Sequence, residues 1–167
     1  MKLHSLLFTI LVSLLIACGG DGESPTDSCT GDPNFKNQTA QGSMDGNDWT
    51  FASGVAEKST FEAGKLSVQL IDETFTDICD EFLFDGNVVI FTVDMATGVY
   101  KLCFSLGNNS NDVAQTLTLY DGTTNHIATM GAIEITSITD SEVSGRLDAT
   151  ADETSFVNGT FTVPLCQ

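Results

Sequence analysis

The sequence predicts an all-β protein, an antiparallel β-sandwich or flattened barrel of about 8–10 strands. Short runs of alternating apolar and polar residues recur along the chain, and pairs such as Asp-Gly and Asn-Gly separate them. Beyond the N-terminal leader, no stretch keeps the three-to-four-residue apolar period of a sustained helix. Short strands with one apolar face must bury that face against another sheet, so the pattern favours two packed or curled layers of strands.

The first half of the chain contains four predicted strands, at 49–55, 66–70, 88–95 and 99–106. In the first of them, Trp49, Phe51 and Val55 share one face of a period-two strand. The third strand is apolar on both faces at its start, which favours a central place in a sheet. Residues 72–85 fit a short helix or turn as well as an irregular crossover.

The second half gives the clearest β pattern, with predicted strands at 115–120, 126–130, 133–138, 143–149 and 156–165. Ile138 is out of phase with Ile133 and Ile135, which indicates a β-bulge near 136–137. The last segment fits either one strand or a hairpin around its Asn-Gly pair.

The N-terminus has the features of a secretory signal. Lys2 and His4 precede an apolar run at 6–16, which is shorter than the roughly 20 residues that a membrane-spanning helix needs. The run ends in Leu15-Ile16-Ala17-Cys18, which resembles the lipobox of bacterial lipoproteins. That resemblance implies cleavage after residues 1–17 and a diacylglycerol on the Cys18 thiol, while an ordinary signal peptide with a chance cysteine is the alternative.

The predicted lipid anchor divides the chain into three parts: the signal peptide at 1–17, a flexible acidic tether at 18–38 that starts with the lipidated cysteine, and a β-sandwich domain at 39–167. Two or more acyl chains hold a protein stably on a membrane. By similarity to sorting in two-membrane bacteria, Gly19 after the cysteine favours the outer membrane, with the domain facing the periplasm or the cell surface. The membrane is therefore an expected partner through the anchor.

The chain is strongly acidic, with 23 Asp and Glu against 6 Lys and Arg and a net charge of −17. Such a field repels nucleic acid and anionic lipid headgroups, so neither is an expected ligand. The excess of acidic residues either keeps the protein soluble or attracts divalent cations. Asp45, Asn47 and Asp48 form a candidate calcium site of hard oxygen ligands, although the same residues suit an ordinary hairpin turn. A second acidic loop contains Asp80, Glu81 and Asp85.

Four cysteines besides Cys18 predict two disulfides in an oxidising compartment: Cys29, Cys79, Cys103 and Cys166. Three pairings are open, and we favour Cys79–Cys103 with Cys29–Cys166. The cysteine spacings match no metal-binding pattern, so calcium is the one metal considered. No organic cofactor is expected.

Catalytic motifs are absent from the sequence. His126 is the only histidine after the leader, so a Ser-His-Asp triad would have to use it, with Asp121 nearby, and no GxSxG nucleophile turn accompanies it. A lone histidine at a strand start is expected to be exposed. Paired carboxylates at 72–73, 80–81 and 152–153 could serve hydrolysis, but 23 acidic residues make such pairs inevitable. Trp49 and Tyr100 fit sugar stacking or, preferably, core packing.

The lipobox followed by Gly42-Ser43-Met44-Asp45-Gly46-Asn47-Asp48-Trp49-Thr50-Phe51 resembles the opening of small secreted lipoproteins of Bacteroidetes. The segments 131–136, 143–147 and 157–164 are similar to the closing strands of those proteins. The resemblance implies a β-sandwich and no assigned activity. We therefore expect a non-enzymatic, membrane-anchored binding or structural module whose partner is an envelope protein or a glycan. The alternative is a carboxylate-based hydrolase or carbohydrate-processing accessory protein.

Overall fold

The computed structural model describes residues 32–80, 86–103 and 115–166, and this part of the chain is all-β, as predicted. The predicted signal peptide, Cys18 and Cys29 lie outside the described residues. The strands are β1 (Gln41–Met44), β2 (Asn47–Thr50), β3 (Ser53–Lys58), β4 (Lys65–Ile71), β5 (Asn87–Asp94), β6 (Gly98–Lys101), β7 (Leu117–Asp121), β8 (Asn125–Ala128), β9 (Met130–Ile138), β10 (Glu142–Thr150) and β11 (Phe156–Cys166). A single 3-10 turn occurs among the described residues, at Ile78–Asp80.

The eleven strands form one strongly curled sheet in the order β6-β9-β10-β11-β3-β4-β5-β7-β8, with β1 and β2 attached beside β11. We call β1, β2, β6, β9, β10 and β11 the first half-sheet and β3, β4, β5, β7 and β8 the second half-sheet. The long strand β11 joins them, because its start pairs with β1 and its end pairs with β3. The β3–β11 contact is parallel, so the sheet is mixed rather than purely antiparallel.

The core lies between the two half-sheets. Its largest fully buried side chains are Trp49, Met44, Leu66, Leu70, Leu102, Leu117, Leu119, Ile133, Ile135 and Leu147. Each buried aliphatic side chain contributes about 1.5–3 kcal/mol relative to exposure. Trp49 reaches from β2 across the core and donates its indole N–H to the backbone oxygen of Asn87 at 3.1 Å. Both apolar burial and this polar contact therefore hold the halves together.

Several sequence predictions are confirmed in detail. β5 lies between β4 and β7, and it is apolar on both faces. Val89 packs in the main core, whereas Val88 belongs to a small outer cluster. The predicted bulge falls in β9: Ser137 is opposite Ser144 and Ile135 is opposite Gly145, so the residue between them on β9 has no direct counterpart on β10.

The predicted strand at 49–55 is wrong in one respect, because the chain leaves the first half-sheet at 51–52 and enters the second. β2 ends at Thr50 and β3 begins at Ser53. As a result Trp49 packs in the main core, while Val55 packs in the outer cluster on the opposite face. At the end of the chain, residues 156–166 form one continuous strand, which decides against the hairpin alternative.

The favoured disulfide pairing is also wrong. Cys79 is bonded to Cys166; their Cα atoms are 5.6 Å apart, and the two residues are 87 positions apart in the chain. Cys103 is buried and disulfide-bonded as well. The physical reason lies in the topology: the parallel contact of β11 with β3 brings the end of the chain to the outer face of the second half-sheet, beside the 3-10 turn that carries Cys79.

Candidate functional site

Residues 34–38, which we call the strap, lie across the outer face of the first half-sheet. These residues were predicted as tether, yet their backbone is hydrogen-bonded to β10 and β11. The N–H of Asn34 donates to the Asp148 carboxylate at 2.7 Å, and the oxygen of Gln38 accepts from the Thr160 N–H at 2.7 Å. The folded domain therefore includes the strap.

Phe35 fixes the middle of the strap. Its ring lies 4.6 Å from the guanidinium carbon of Arg146, which is a cation–π distance. Arg146 also pairs with Glu134 on the neighbouring strand, and that ion pair holds the guanidinium in place under the ring. Phe35 therefore docks the strap on the outer face of β10.

Asn158 is the polar centre beneath the strap. It is one of two buried polar residues in the described part of the chain. Its amide oxygen accepts from the Lys36 N–H at 2.9 Å, and its amide nitrogen donates to the Asn34 oxygen at 3.0 Å and to Asp148 at 2.8 Å. A buried amide must be hydrogen-bonded to avoid a desolvation cost, and here the strap supplies two of the partners.

A groove of about 360 Å³ lies beside the strap, on the outer face of β1, β2 and β11. Its lining residues are Lys36, Gln38, Gln41, Gly42, Asp48, Trp49, Thr50, Phe156 and Asn158. The strand register arranges the outward side chains in two rows, because Gln41 is opposite Thr50 and Asn158, while Ser43 is opposite Asp48 and Phe156. The two rows present hydroxyl, amide and carboxylate groups beside one aromatic ring.

The electrostatics of the groove differ from those of the whole chain. The chain carries a net charge of −17, but the lining of the groove contains one cation, Lys36, and one carboxylate, Asp48. Phe156 adds an apolar surface that is 41% exposed. Amides, hydroxyls and a balanced pair of charges offer both donors and acceptors to a ligand. The groove therefore fits a neutral, hydroxyl-rich molecule with an apolar face.

Neither of the two aromatic residues considered for sugar stacking presents an exposed ring to the groove. Trp49 is only 2% exposed and packs in the core. Tyr100 packs against the core edge, and its hydroxyl donates to the backbone oxygens of Asp94 at 3.2 Å and Ala96 at 2.8 Å. The preference for core packing is confirmed for both residues.

The predicted calcium residues lie in and after the β1–β2 turn. Asp45 and Gly46 both have positive φ, 49° and 81°, as a two-residue hairpin turn requires. Asn47 donates its side-chain amide to the Met44 and Asp45 oxygens. Asp48 points outward into the groove described above. Within the described ranges, no group of three or more His, Cys, Asp or Glu side chains is placed to hold a metal ion.

His126 is not exposed, contrary to the sequence expectation, because it faces inward between the two half-sheets. Its side chain is 14% exposed, and its Nε2 lies 3.1 Å from the carboxylate of Asp121, which is 11% exposed. On its other side, Nδ1 lies 3.6 Å from Asp152. The Asp121 hydrogen bond and the nearby acidic charges raise the pKa of His126 above its ordinary value, against a smaller lowering effect of burial.

Both carboxylates beside His126 are also held by local hydrogen bonds. Asp121 accepts from the Thr123 and Thr124 backbone and from the Thr123 hydroxyl, each at 2.7 Å. These bonds, with the contact to His126, lower the pKa of Asp121 well below its usual range. The hydroxyl and backbone N–H of Thr154 lower the pKa of Asp152 in the same way.

In two of the three carboxylate pairs considered for hydrolysis, the aspartate has a side-chain partner in the described structure. Asp152 contacts His126 and Thr154, and Asp72 accepts a hydrogen bond from the Asn87 side chain at 3.1 Å. Glu81 lies outside the described residues. The structure therefore assigns Asp152 and Asp72 a role in holding turns.

Comparison with protein-family models, with curated proteins and with solved structures gives no match to this chain. Among the residues that the structure describes, no helix has the length and apolar character to cross a membrane.

Sequence reasoning missed the strap, the exposed ring of Phe156 and the contact of Asp152 with His126. The strap is rich in polar residues and carries no period-two pattern, so its sequence predicts a tether. Phe156 is the first residue of a strand whose other apolar residues are mostly buried. The five-residue separation of Asp121 and His126 across a Gly-Thr-Thr-Asn turn was the one available signal for their contact, since a hairpin brings such positions together.

Proposed function

We propose that this chain is a lipid-anchored envelope protein whose β-domain binds a ligand without chemical turnover, and that the ligand is a neutral glycan held in the groove beside the strap. The observation that carries the proposal is the groove itself: outward polar rows on β1, β2 and β11, flanked by the exposed ring of Phe156. Sugar hydroxyls pair with such donors and acceptors, and the apolar face of a sugar ring packs on an aromatic ring.

The lipid anchor rests on the sequence around Cys18, and the disulfides fit it. The Cys79–Cys166 bond links positions far apart in the chain, and such bonds persist in oxidising compartments outside the cytoplasm. From Cys18 the chain needs 16 residue steps to reach Asn34, where the strap begins. Fully extended, that segment spans at most about 55 Å. A lipidated Cys18 therefore keeps the groove within a short distance of the membrane surface.

The anchor is tested by metabolic labelling with radioactive palmitate in a bacterial host. We expect label in the wild-type protein and no label after Cys18→Ala, and we expect the Cys18→Ala protein to leave the membrane fraction. Cys79→Ala serves as the control, because it removes a cysteine but keeps the lipobox. Absence of label from the wild type, or a membrane-bound Cys18→Ala protein, would contradict the anchor.

Glycan binding is tested by affinity electrophoresis of residues 18–167, which we call the mature chain, in native gels that contain soluble starch, laminarin or galactomannan. We expect retardation by at least one of these neutral polysaccharides and none by alginate, because the acidic protein repels an anionic polymer. Phe156→Ala should weaken binding about fivefold, since an aromatic contact is worth about 1 kcal/mol. Phe61→Ala is the matched control: Phe61 is 97% exposed in the β3–β4 loop, away from the groove.

The same experiment distinguishes a glycan ligand from a protein partner bound elsewhere on the domain. A protein partner would use the opposite end of the domain, where Phe61 protrudes. A groove of about 420 Å³ at that end is lined by Met95, Ile138 and Leu165 together with polar residues. No retardation by any polysaccharide would contradict the glycan proposal. Retardation that Phe61→Ala abolishes and Phe156→Ala preserves would contradict it equally.

A further inference from the structure

His126 connects the two half-sheets through both of its ring nitrogens. Nε2 faces Asp121, which lies on β7 of the second half-sheet, at 3.1 Å. Nδ1 faces Asp152, in the β10–β11 turn of the first half-sheet, at 3.6 Å. The imidazole itself is carried by β8, the outermost strand of the second half-sheet. The triad therefore bridges the two half-sheets at the β8 edge, away from the β11–β3 pairing that joins them.

The two contacts place opposite demands on a neutral imidazole. A neutral ring has one N–H, so it donates to one carboxylate and turns a lone pair toward the other. A protonated ring turns an N–H toward each carboxylate: it hydrogen-bonds Asp121 at 3.1 Å and attracts Asp152 electrostatically across 3.6 Å. We propose that Asp121, His126 and Asp152 form a pH-sensitive clasp between the half-sheets, closed when the imidazole is protonated and loosened when it loses its proton.

Among the described residues, the charged groups whose fields act on His126 are all acidic. They are Asp121 on its own hairpin, Asp152 in the β10–β11 turn and Asp45 in the β1–β2 turn, whose negative charge also acts on the ring. The β1–β2 turn is tied to the β10–β11 turn, because the Asp45 N–H donates to the Ser155 hydroxyl at 3.2 Å. The clasp thus joins three turns that belong to both halves of the sheet.

The direction of the pH effect follows from linkage. The hydrogen bond from Asp121 and the surrounding negative charges raise the pKa of folded His126 above the ordinary value of 6.5. A group with a raised folded pKa contributes stability that is fully present below its unfolded pKa. That stability is lost as the pH rises through the folded pKa. The clasp is therefore closed at mildly acidic pH and opens as the pH rises through the raised pKa of His126.

The chain has two histidines, His126 and His4, and His4 lies in the predicted leader. The titration of His126 can therefore be followed without overlap from a second imidazole. The imidazole C2–H resonance of His126 is followed by NMR from pH 5 to pH 9 on the mature wild-type chain, and His126→Gln confirms its assignment. We expect a pKa above 6.5, which moves toward 6.5 in Asp152→Asn and stays unchanged in Glu153→Gln. Glu153 is the matched control, since it is the exposed neighbour in the same turn.

Thermal unfolding supplies a second readout of the same clasp. The melting temperature of the wild type should fall between pH 6 and pH 9, and the melting temperature of His126→Gln should fall much less over that range. A His126 pKa at or below 6.5 in the wild type would overturn the proposal. An equal fall in melting temperature for wild type and His126→Gln would also overturn it.

Discussion

Replacing Asn158 by alanine should detach the strap and lower the stability of the whole domain. The side chain makes three hydrogen bonds, to the Lys36 N–H, the Asn34 oxygen and the Asp148 carboxylate, at 2.8–3.0 Å. Each such bond contributes about 1 kcal/mol net, and the partners left behind lose their pairing in a buried place. The expected loss is therefore about 3 kcal/mol in the free energy of unfolding, or on the order of 10 °C in melting temperature.

Urea unfolding of the mature chain at neutral pH measures this loss through the shift in midpoint at constant slope. Asn125→Ala is the matched control, because Asn125 is an exposed asparagine on the edge strand β8 and should change the free energy by less than about 0.5 kcal/mol. Hydrogen exchange gives the local readout: the Lys36 amide should lose protection in Asn158→Ala. A loss below about 1 kcal/mol, or an unchanged Lys36 exchange rate, would refute the role assigned to Asn158.

Three further predictions concern the Cys79–Cys166 disulfide, the close contact of Gly159 with Ala40 and the stability of the protein at acid pH. Replacing Cys79 and Cys166 by serine should lower the free energy of unfolding by about 4–5 kcal/mol, the chain-entropy value for so long a loop, measured by urea unfolding with and without reductant. Gly159→Ala should cost about 2 kcal/mol or more, because Gly159 has φ +138° and an added Cβ would lie 2.7 Å from the Cα of Ala40; a thermal melt unchanged from wild type would contradict this. The lowered pKa of Asp121 adds stability that is present above pH 3.8 and lost as the pH falls through the folded pKa, so acid melts of Asp121→Asn should be flatter below pH 4 than those of wild type.

The parts of the fold that the sequence predicts correctly are those set by neighbouring residues. The alternation of Leu66, Val68 and Leu70 identifies β4, because side chains of a strand point to opposite faces in turn. The phase change at Ile138 locates the bulge for the same reason. The Asp45–Gly46 turn follows from the positive φ that these residues tolerate.

The parts that sequence reasoning misses depend on contacts between distant residues. Nothing in the local pattern at 51–52 reveals that the chain changes half-sheet there, because the apolar alternation continues across the break. The Cys79–Cys166 bond depends on the parallel β3–β11 contact, and pairing partners are chosen by tertiary packing. Asp152 reaches His126 only because the two half-sheets curl toward each other.

The candidate site shows the same division. The polar character of Asp48 and its outward position on a strand follow from the alternation around Trp49. The groove as a whole does not, since its wall is the strap and its floor combines β1 and β2 with β11, which is far from them in the sequence. A strap without apolar periodicity gives no local signal of docking, and the buried amide that fixes it becomes visible only in three dimensions.

The proposed glycan groove is tested most directly by chemical-shift mapping of the mature chain with neutral oligosaccharides, maltohexaose and laminarihexaose, at millimolar concentration. The proposal predicts shift changes in the backbone amides of Lys36, Gln41 and Thr50, with the β3–β4 loop around Phe61 unaffected. Changes confined to the Phe61 loop, or no change with either oligosaccharide, would contradict it.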